Sequence, residues 1–277
     1  MPAIAAPIPP EFAVTRTVPG AVWWPRSAAA VPASGPTFGT VVGTLLNDLV
    51  ALAALGDAVH RPPYKAPPRA PVLYIKPRNT IAPPGSAVEV PADPGAFEIG
   101  ATIGLVIGRI ACRVGIDDAL GHLAWITLVA DLSLPHAAFY RPSVRFNARD
   151  GSCLIGFDAG PAVLPCADPD VVELEVFVDG SSLHRASPRG FVRNAARLLA
   201  DVSEFMTLRP GDVLLLGVGN GAPRVQAGQS FRLEAAGFGA LSGSVVHESQ
   251  ASADRARTTG RAAPPQGSRP PDPEAAP

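Results

Sequence analysis

The sequence predicts an α+β fold: a β-rich mixed-sheet core with a few short helices, flanked by disordered proline-rich tails. Three observations predict it. Apolar, β-rich runs recur through the middle of the chain, at Val72–Lys76, residues 102–107 and residues 125–130. Helical patterns are few and scattered among them, which argues against a regular βαβ alternation. The chain is 47% hydrophobic, ample for a core, while both ends lack hydrophobic periodicity.

In chain order, residues 41–46 read as a strand and residues 47–55 as a short helix. Val72–Lys76 is a strand that closes on Pro77. Residues 102–107 form a strand ended by Gly108. Residues 116–123 read as a helix, with Asp117 and Asp118 where the macrodipole favours negative charge. Residues 125–130 make a buried strand. Residues 171–178 alternate, with Glu173 and Glu175 on one face, and Asp179-Gly180 then signals a hairpin. The clearest helical pattern spans residues 188–205, with Phe191, Ala195, Leu198, Leu199, Val202 and Phe205 as its apolar positions. A turn at Arg209-Pro210-Gly211-Asp212 leads to strands at residues 213–216 and Ser230–Ala235.

Residues 1–36 and 249–277 are rich in proline and unpatterned, so they bury too little apolar surface to offset ordering entropy. The expected organisation is therefore a flexible extension over 1–36, one catalytic-type domain over 37–248 and a disordered tail over 249–277. Trp23 and Trp24 either dock on the core or a partner or simply make the extension sticky.

A net charge of −1 with 17% charged residues gives no field to gather phosphates, which argues against nucleic-acid binding. The apolar runs fall far short of the ~18 residues of a membrane span. The apolar N-terminus lacks a basic leading region and is interrupted by Pro2, Pro7, Pro9 and Pro10, so it does not read as a signal peptide. Three cysteines, Cys112, Cys153 and Cys166, form no framework and suit a reducing cytoplasm. There is no CxxC or HxxxH spacing, no GxSxG elbow, and no Walker lysine in the glycine-rich stretch 217–221.

Several motifs occur in a fixed order. Tyr64-Lys65-Ala66-Pro67-Pro68 precedes Tyr74-Ile75-Lys76-Pro77-Arg78-Asn79-Thr80. Gly100-Ala101-Thr102 and Val106-Ile107-Gly108-Arg109 follow. Asp131-Leu132-Ser133-Leu134-Pro135 runs into Phe139-Tyr140-Arg141-Pro142, then Arg149-Asp150-Gly151 and Ile155-Gly156. The last runs from Ser203 through Leu208 to Arg209-Pro210-Gly211-Asp212. Together, over residues 38–248, they resemble the fumarylacetoacetate hydrolase superfamily. Within it they are most similar to the N-terminal-half type of the 4-hydroxyphenylacetate-pathway isomerase/decarboxylases. The resemblance implies a β-rich mixed-sheet core, an oligomer, and chemistry on an unsaturated oxo-polycarboxylic acid. It also implies a divalent ion, Mg²⁺ or Mn²⁺, that chelates the substrate.

The family's usual ion ligands are a Glu-x-Glu on a strand and a later Asp. The alternation of a strand explains the spacing, since both Glu side chains face one side. Here those positions are Gly100, Thr102 and Asp131. Two carboxylates are missing, so the ion is expected on a homologous partner subunit rather than on this chain. Lys76 is the family's carboxylate-pairing lysine or, read alone, a solvated strand-end lysine. Arg141, beside Tyr140, offers a bidentate fork to a substrate carboxylate, with a surface arginine as the plain alternative. Arg149 and Asp150 read first as an ion pair at the Gly151 turn and second as part of the site. Asn147 stands where the family has a lysine, and Arg145 is placed to replace its charge. Val218 stands where the family has a threonine. His136, beside the Asp131 segment, is a general-base candidate, with a solvated loop histidine the plainer reading.

Two functions of different class follow. One is an enzyme subunit that decarboxylates or isomerises an unsaturated oxo-tricarboxylate beside a metal-bearing homologue or within a homo-oligomer. The other is a non-catalytic scaffold subunit of the same complex. A C–C hydrolase of the fumarylacetoacetate hydrolase or acylpyruvase type, acting alone, needs the missing carboxylates.

Overall fold

The computed structural model describes residues 38–136, 144–157 and 168–248. Trp23, Trp24, Tyr140, Arg141, Cys166 and both proline-rich tails lie outside them. The strands are β1 (Val41–Leu45), β2 (Val72–Lys76), β3 (Ile81–Ala82), β4 (Ala87–Val90), β5 (Ala96–Ile107), β6 (Leu123–Ser133), β7 (Cys153–Ile155), β8 (Leu174–Val178), β9 (Ser181–Ala186), β10 (Val213–Leu215), β11 (Arg224–Gln226), β12 (Ser230–Ala235) and β13 (Gly239–His247). The helices are α1 (Leu49–Ala54), α2 (Val144–Asn147) and α3 (Ala195–Ser203). No helix among the described residues is long and apolar enough to cross a membrane.

The larger sheet runs β2-β1-β10-β5-β6-β7-β3, with β11 paired to the start of β5. It is mixed: β1–β10 and β3–β7 are parallel, the other neighbours antiparallel. Its two end strands are consecutive in the chain. Laid flat, six strand intervals would separate β2 from β3 by roughly 29 Å. The chain from Lys76 to Ile81 reaches at most ~18 Å. The sheet therefore has to roll up, and short covalent connection across residues 77–80 keeps its ends together. The smaller sheet, β4-β13-β12-β8-β9, is separate.

Strand periodicity gives the roll two faces. Phe97, Ile99, Ala101, Ile103, Leu105 and Ile107 of β5 join Ile126, Leu128, Ala130 and Leu132 of β6 in the main core, shared with α3 and the smaller sheet. The alternate residues Val106, Trp125, Val129, Val213, Leu215, Cys153 and Ile155 pack on the other face, in a second cluster. Because β5 and β6 are buried on both faces, they read in sequence as apolar runs without alternation.

The strands expected at Val72–Lys76 and Ser230–Ala235 have those bounds, and Asp179-Gly180 makes the β8–β9 turn with φ of 48° and 80°, as a type I′ turn requires. Two helices are corrected. Residues 116–123 form only a 3₁₀ turn at Ala119–His122 before β6 begins, since Gly115 and Gly121 bracket too short a segment to nucleate an α-helix. Residues 188–205 yield a 3₁₀ turn at Pro188–Gly190 and then α3, capped by Asn194, whose side chain accepts from the Arg197 amide. Phe191–Arg193 are held elsewhere, and Phe205 is 67% exposed rather than buried. The expected strand at 171–178 shortens to β8, because Pro169 opens a 3₁₀ turn through Val171.

Asn47 does that holding. It is 2% exposed, and its Nδ2 donates to the carbonyls of Leu216 (2.8 Å) and Arg193 (3.0 Å). Its Oδ1 accepts from the Arg193 amide (2.9 Å), and its own carbonyl accepts from the Val192 amide (2.7 Å). Asn47→Ala keeps the Val192 bond but removes the three side-chain bonds, leaving the buried Leu216 carbonyl and the half-buried Arg193 amide and carbonyl without that partner, and is expected to cost roughly 2–3 kcal/mol. Chemical denaturation of the full chain measures it; a cost near zero would show that the segment repairs its hydrogen bonds elsewhere.

Candidate active site

The family-type positions lie on the second face of the roll. On β6, Asp131 sits opposite Gly100 of β5 and Cys153 of β7. Tyr74 and Lys76 come from β2, which stands four strand intervals away in the sheet order and would be ~19 Å off in a flat sheet. Rolling brings them together: Lys76 Nζ lies 2.7 Å from Asp131 Oδ1, and the Tyr74 hydroxyl donates to Asp131 Oδ2. Lys76 is 2% exposed. Its ammonium also donates to the Asn147 carbonyl at 2.6 Å, with Ser152 Oγ at 3.3 Å and the Leu132 carbonyl at 3.4 Å. The solvated strand-end reading of Lys76 is thus ruled out. Its ammonium is fully engaged by protein groups, so pairing with a substrate carboxylate would require exchanging one of them.

Burial pushes the Tyr74 phenol well above its ordinary value, and the Asp131 charge pushes it further. The Cys153 thiol is pushed up to about 12, chiefly by burial, with Lys76 opposing and Asp131 adding.

Gly100 and Thr102 occupy the two carboxylate positions. A Cβ built at Gly100 would lie 2.6 Å from the Asp131 carbonyl oxygen and 2.8 Å from Val218 Cγ2. Thr102 Oγ1 donates to the Gly217 carbonyl at 2.6 Å. Gly217 and Val218 belong to a loop held by Asp48, whose Oδ2 accepts from the Asn220 amide while its Oδ1 caps α1. Restoring Glu at position 100 therefore demands a main-chain shift, not only a new side chain. A hard divalent ion needs several oxygen ligands. Here a single carboxylate stands between the Lys76 ammonium and the Tyr74 hydroxyl, with Gly100 and Thr102 in place of the other two, so the residues present do not fit such an ion. Among the described residues, no group of three or more His, Cys, Asp or Glu converges as a metal site would.

The other expected residues are more dispersed. Arg145 is exposed on α2, its guanidinium 5.8 Å from the Phe146 ring centre. Arg149 is half-buried and its carbonyl accepts from Ser152 Oγ. Asp150 accepts from Asn79 Nδ2 at 2.6 Å. His136 stacks on Phe146, with Nδ1 2.9 Å from the Leu134 carbonyl. Tyr140 and Arg141 lie outside the described residues. Tyr74 was not among the expected site residues, although strand alternation places it on the face of Lys76, two positions earlier. Gly43 of β1 makes room for it: a Cβ there would lie 2.0 Å from the phenol ring.

Residues 40–246 match the model of the fumarylacetoacetate (FAA) hydrolase C-terminal family, and the chain belongs to that family. It is 36% identical over 210 residues to the 4-hydroxyphenylacetate degradation bifunctional isomerase/decarboxylase of Escherichia coli, covering 76% of this chain and 48% of that protein. The chain thus spans about half the length of the curated relatives it matches. The crystal structure of 5-carboxymethyl-2-hydroxymuconate delta-isomerase from Mycobacterium smegmatis aligns with a TM-score of 0.63 at 25% identity, covering 78% of this chain and 82% of that one. Fumarylpyruvate hydrolase from Pseudomonas aeruginosa, in complex with Mn²⁺ and pyruvate, shares the fold with a TM-score of 0.61 at 21% identity, covering 80% and 94%.

The raised values of Tyr74 and Cys153 set a pH dependence. Each group holds its proton more tightly in the folded chain than in the unfolded one. Their contribution is therefore complete below the unfolded values and is lost as pH rises, from about 9 for the thiol and about 10 for the phenol. Denaturation from pH 8 to 11 should show stability falling through this window, and Cys153→Ala should flatten the fall. An unchanged slope would place the titrating groups elsewhere.

Proposed function

We propose that this chain is one part of a two-part enzyme of 4-hydroxyphenylacetate (homoprotocatechuate) degradation. It takes part in decarboxylation of 5-oxopent-3-ene-1,2,5-tricarboxylate, isomerisation of 5-carboxymethyl-2-hydroxymuconate, or both. The other part is a homologous subunit that bears the divalent ion, Mg²⁺ or Mn²⁺. The observation that carries this reading is the 36% identity to a bifunctional isomerase/decarboxylase of which this chain spans 48%. A site without ion ligands in a domain that matches about half of a bifunctional relative is what one part of such an enzyme would have. In this reading the chain's contribution to substrate is charge. Arg141 grips one carboxylate with a bidentate fork, beside Tyr140, and Arg145 and Arg149 add positive charge along the same segment. The domain spans residues 37–248, with the tails outside it, and works in the cytoplasm.

A non-catalytic scaffold role is the second reading, and one observation favours it: both Lys76 and Asp131 are fully engaged with protein groups. The two readings separate in an assay of both reactions with this chain alone, a metal-bearing homologue alone, and the two mixed. The mixture should exceed the sum of the parts. Arg141→Ala should then lower kcat/KM of the mixture by roughly 10- to 150-fold, the worth of a partly desolvated arginine–carboxylate fork. Arg141→Lys should recover part of that. Full activity with Ala at 141 favours the scaffold; turnover of an acylpyruvate by this chain alone with Mn²⁺ would make it a self-sufficient C–C hydrolase.

A further inference from the structure

The Asp131 carboxylate is clasped from across the roll. Lys76 holds Oδ1 and Tyr74 holds Oδ2, and both come from β2, at the far end of the sheet order from the strands beside β6. The neighbouring residues are fitted to this arrangement. Gly43 leaves the space that the Tyr74 ring fills, and no side chain at position 43 could coexist with the ring where it lies. Gly100 and Val218 close the position where a further ligand would stand, with the Asp131 carbonyl oxygen itself in the way. Thr102 turns its hydroxyl proton to Gly217. A divalent ion at such a site would neutralise carboxylates and cross-link the strands that carry them. Here the ammonium supplies the positive charge and the phenol a second cross-link, with every bond made by the chain itself.

We propose that the Tyr74–Asp131–Lys76 clasp does in this chain the work of a bound ion: it neutralises Asp131 and ties β2 to β6, so that the roll takes up no divalent cation and needs none to fold. The inference goes beyond the functional reading and does not depend on it, because it concerns the chain by itself; an inactive mixture would overturn that reading and leave this one standing.

The test uses the full chain, stripped with EDTA, and its Tyr74→Phe variant. Phenylalanine keeps the ring over Gly43 and removes only the hydroxyl. Thermal unfolding of each is followed in EDTA and in MnCl₂, and each is titrated calorimetrically with MnCl₂. The wild-type midpoint is expected to be the same in both solutions, with no one-to-one uptake of Mn²⁺. Tyr74→Phe leaves a buried carboxylate oxygen unpaired and should lower the midpoint by roughly 2–12 °C in either solution. Saturable one-to-one Mn²⁺ binding that raises the wild-type midpoint would overturn the proposal. So would a Tyr74→Phe midpoint equal to that of the wild type.

Discussion

The ion pair between Lys76 and Asp131 is the constraint on which the rest of this architecture depends. Moving an ammonium and a carboxylate out of water costs several kcal/mol each, and their attraction offsets that only when the remaining donors and acceptors are also satisfied. Here the ion pair itself is close, and the groups around it are largely satisfied, although Asp131 Oδ1 meets the ammonium without an aligned hydrogen bond. The ammonium meets Asp131, the Asn147 carbonyl and Ser152 Oγ, and the second carboxylate oxygen meets the Tyr74 phenol. These contacts exist only if the sheet is rolled. The short connection between β2 and β3 closes the roll, and the pair fixes β2 against β6 inside it. The same contacts draw in α2 and the turn before β7, since Asn147 and Ser152 lie there.

The pair also determines what the site can do. A carboxylate free to bind an ion has at least one oxygen to give, and Asp131 gives both to its own chain. The surrounding positions follow suit: Gly100 has no side chain and no room for one, and Thr102 is tied to Gly217. In the function proposed above, this domain adds charge and shape from the segment around Arg145 and Arg149 to a reaction on a polycarboxylate, beside a partner that carries the ion.

Much of this was legible in the sequence, and the misses have physical causes. β2 and β12 were readable because their ends are marked, by Pro77 and by polar turns. β5 and β6 were readable as apolar runs but were drawn too short: Glu98 and Gly100 break the run, although Glu98 lies in the ladder opposite Arg224. The helix over 188–205 was overdrawn because its apolar spacing continues past the cap, while Asn47, remote in sequence, holds Phe191–Arg193 away from helical geometry. Lys76 and Asp131 were reached through family resemblance; nothing local in either segment shows that strands so far apart in the sheet order meet. Tyr74 could have been found from alternation alone. Its partner Gly43 could not, because a notch in a neighbouring strand is a property of the pairing, not of the segment.

The central claim is that Lys76 and Asp131 act as one unit inside the roll. A double-mutant cycle tests it most directly, with Lys76→Met, Asp131→Asn and the double variant compared by denaturant unfolding. Each single change strands the other group without its counter-charge and should cost about 3–5 kcal/mol. The double variant removes both charges and should cost much less than the sum, with a coupling of about 1–3 kcal/mol or more. Additive losses would contradict the account, because they would mean that the two groups stabilise the fold independently and do not act as one unit inside the roll.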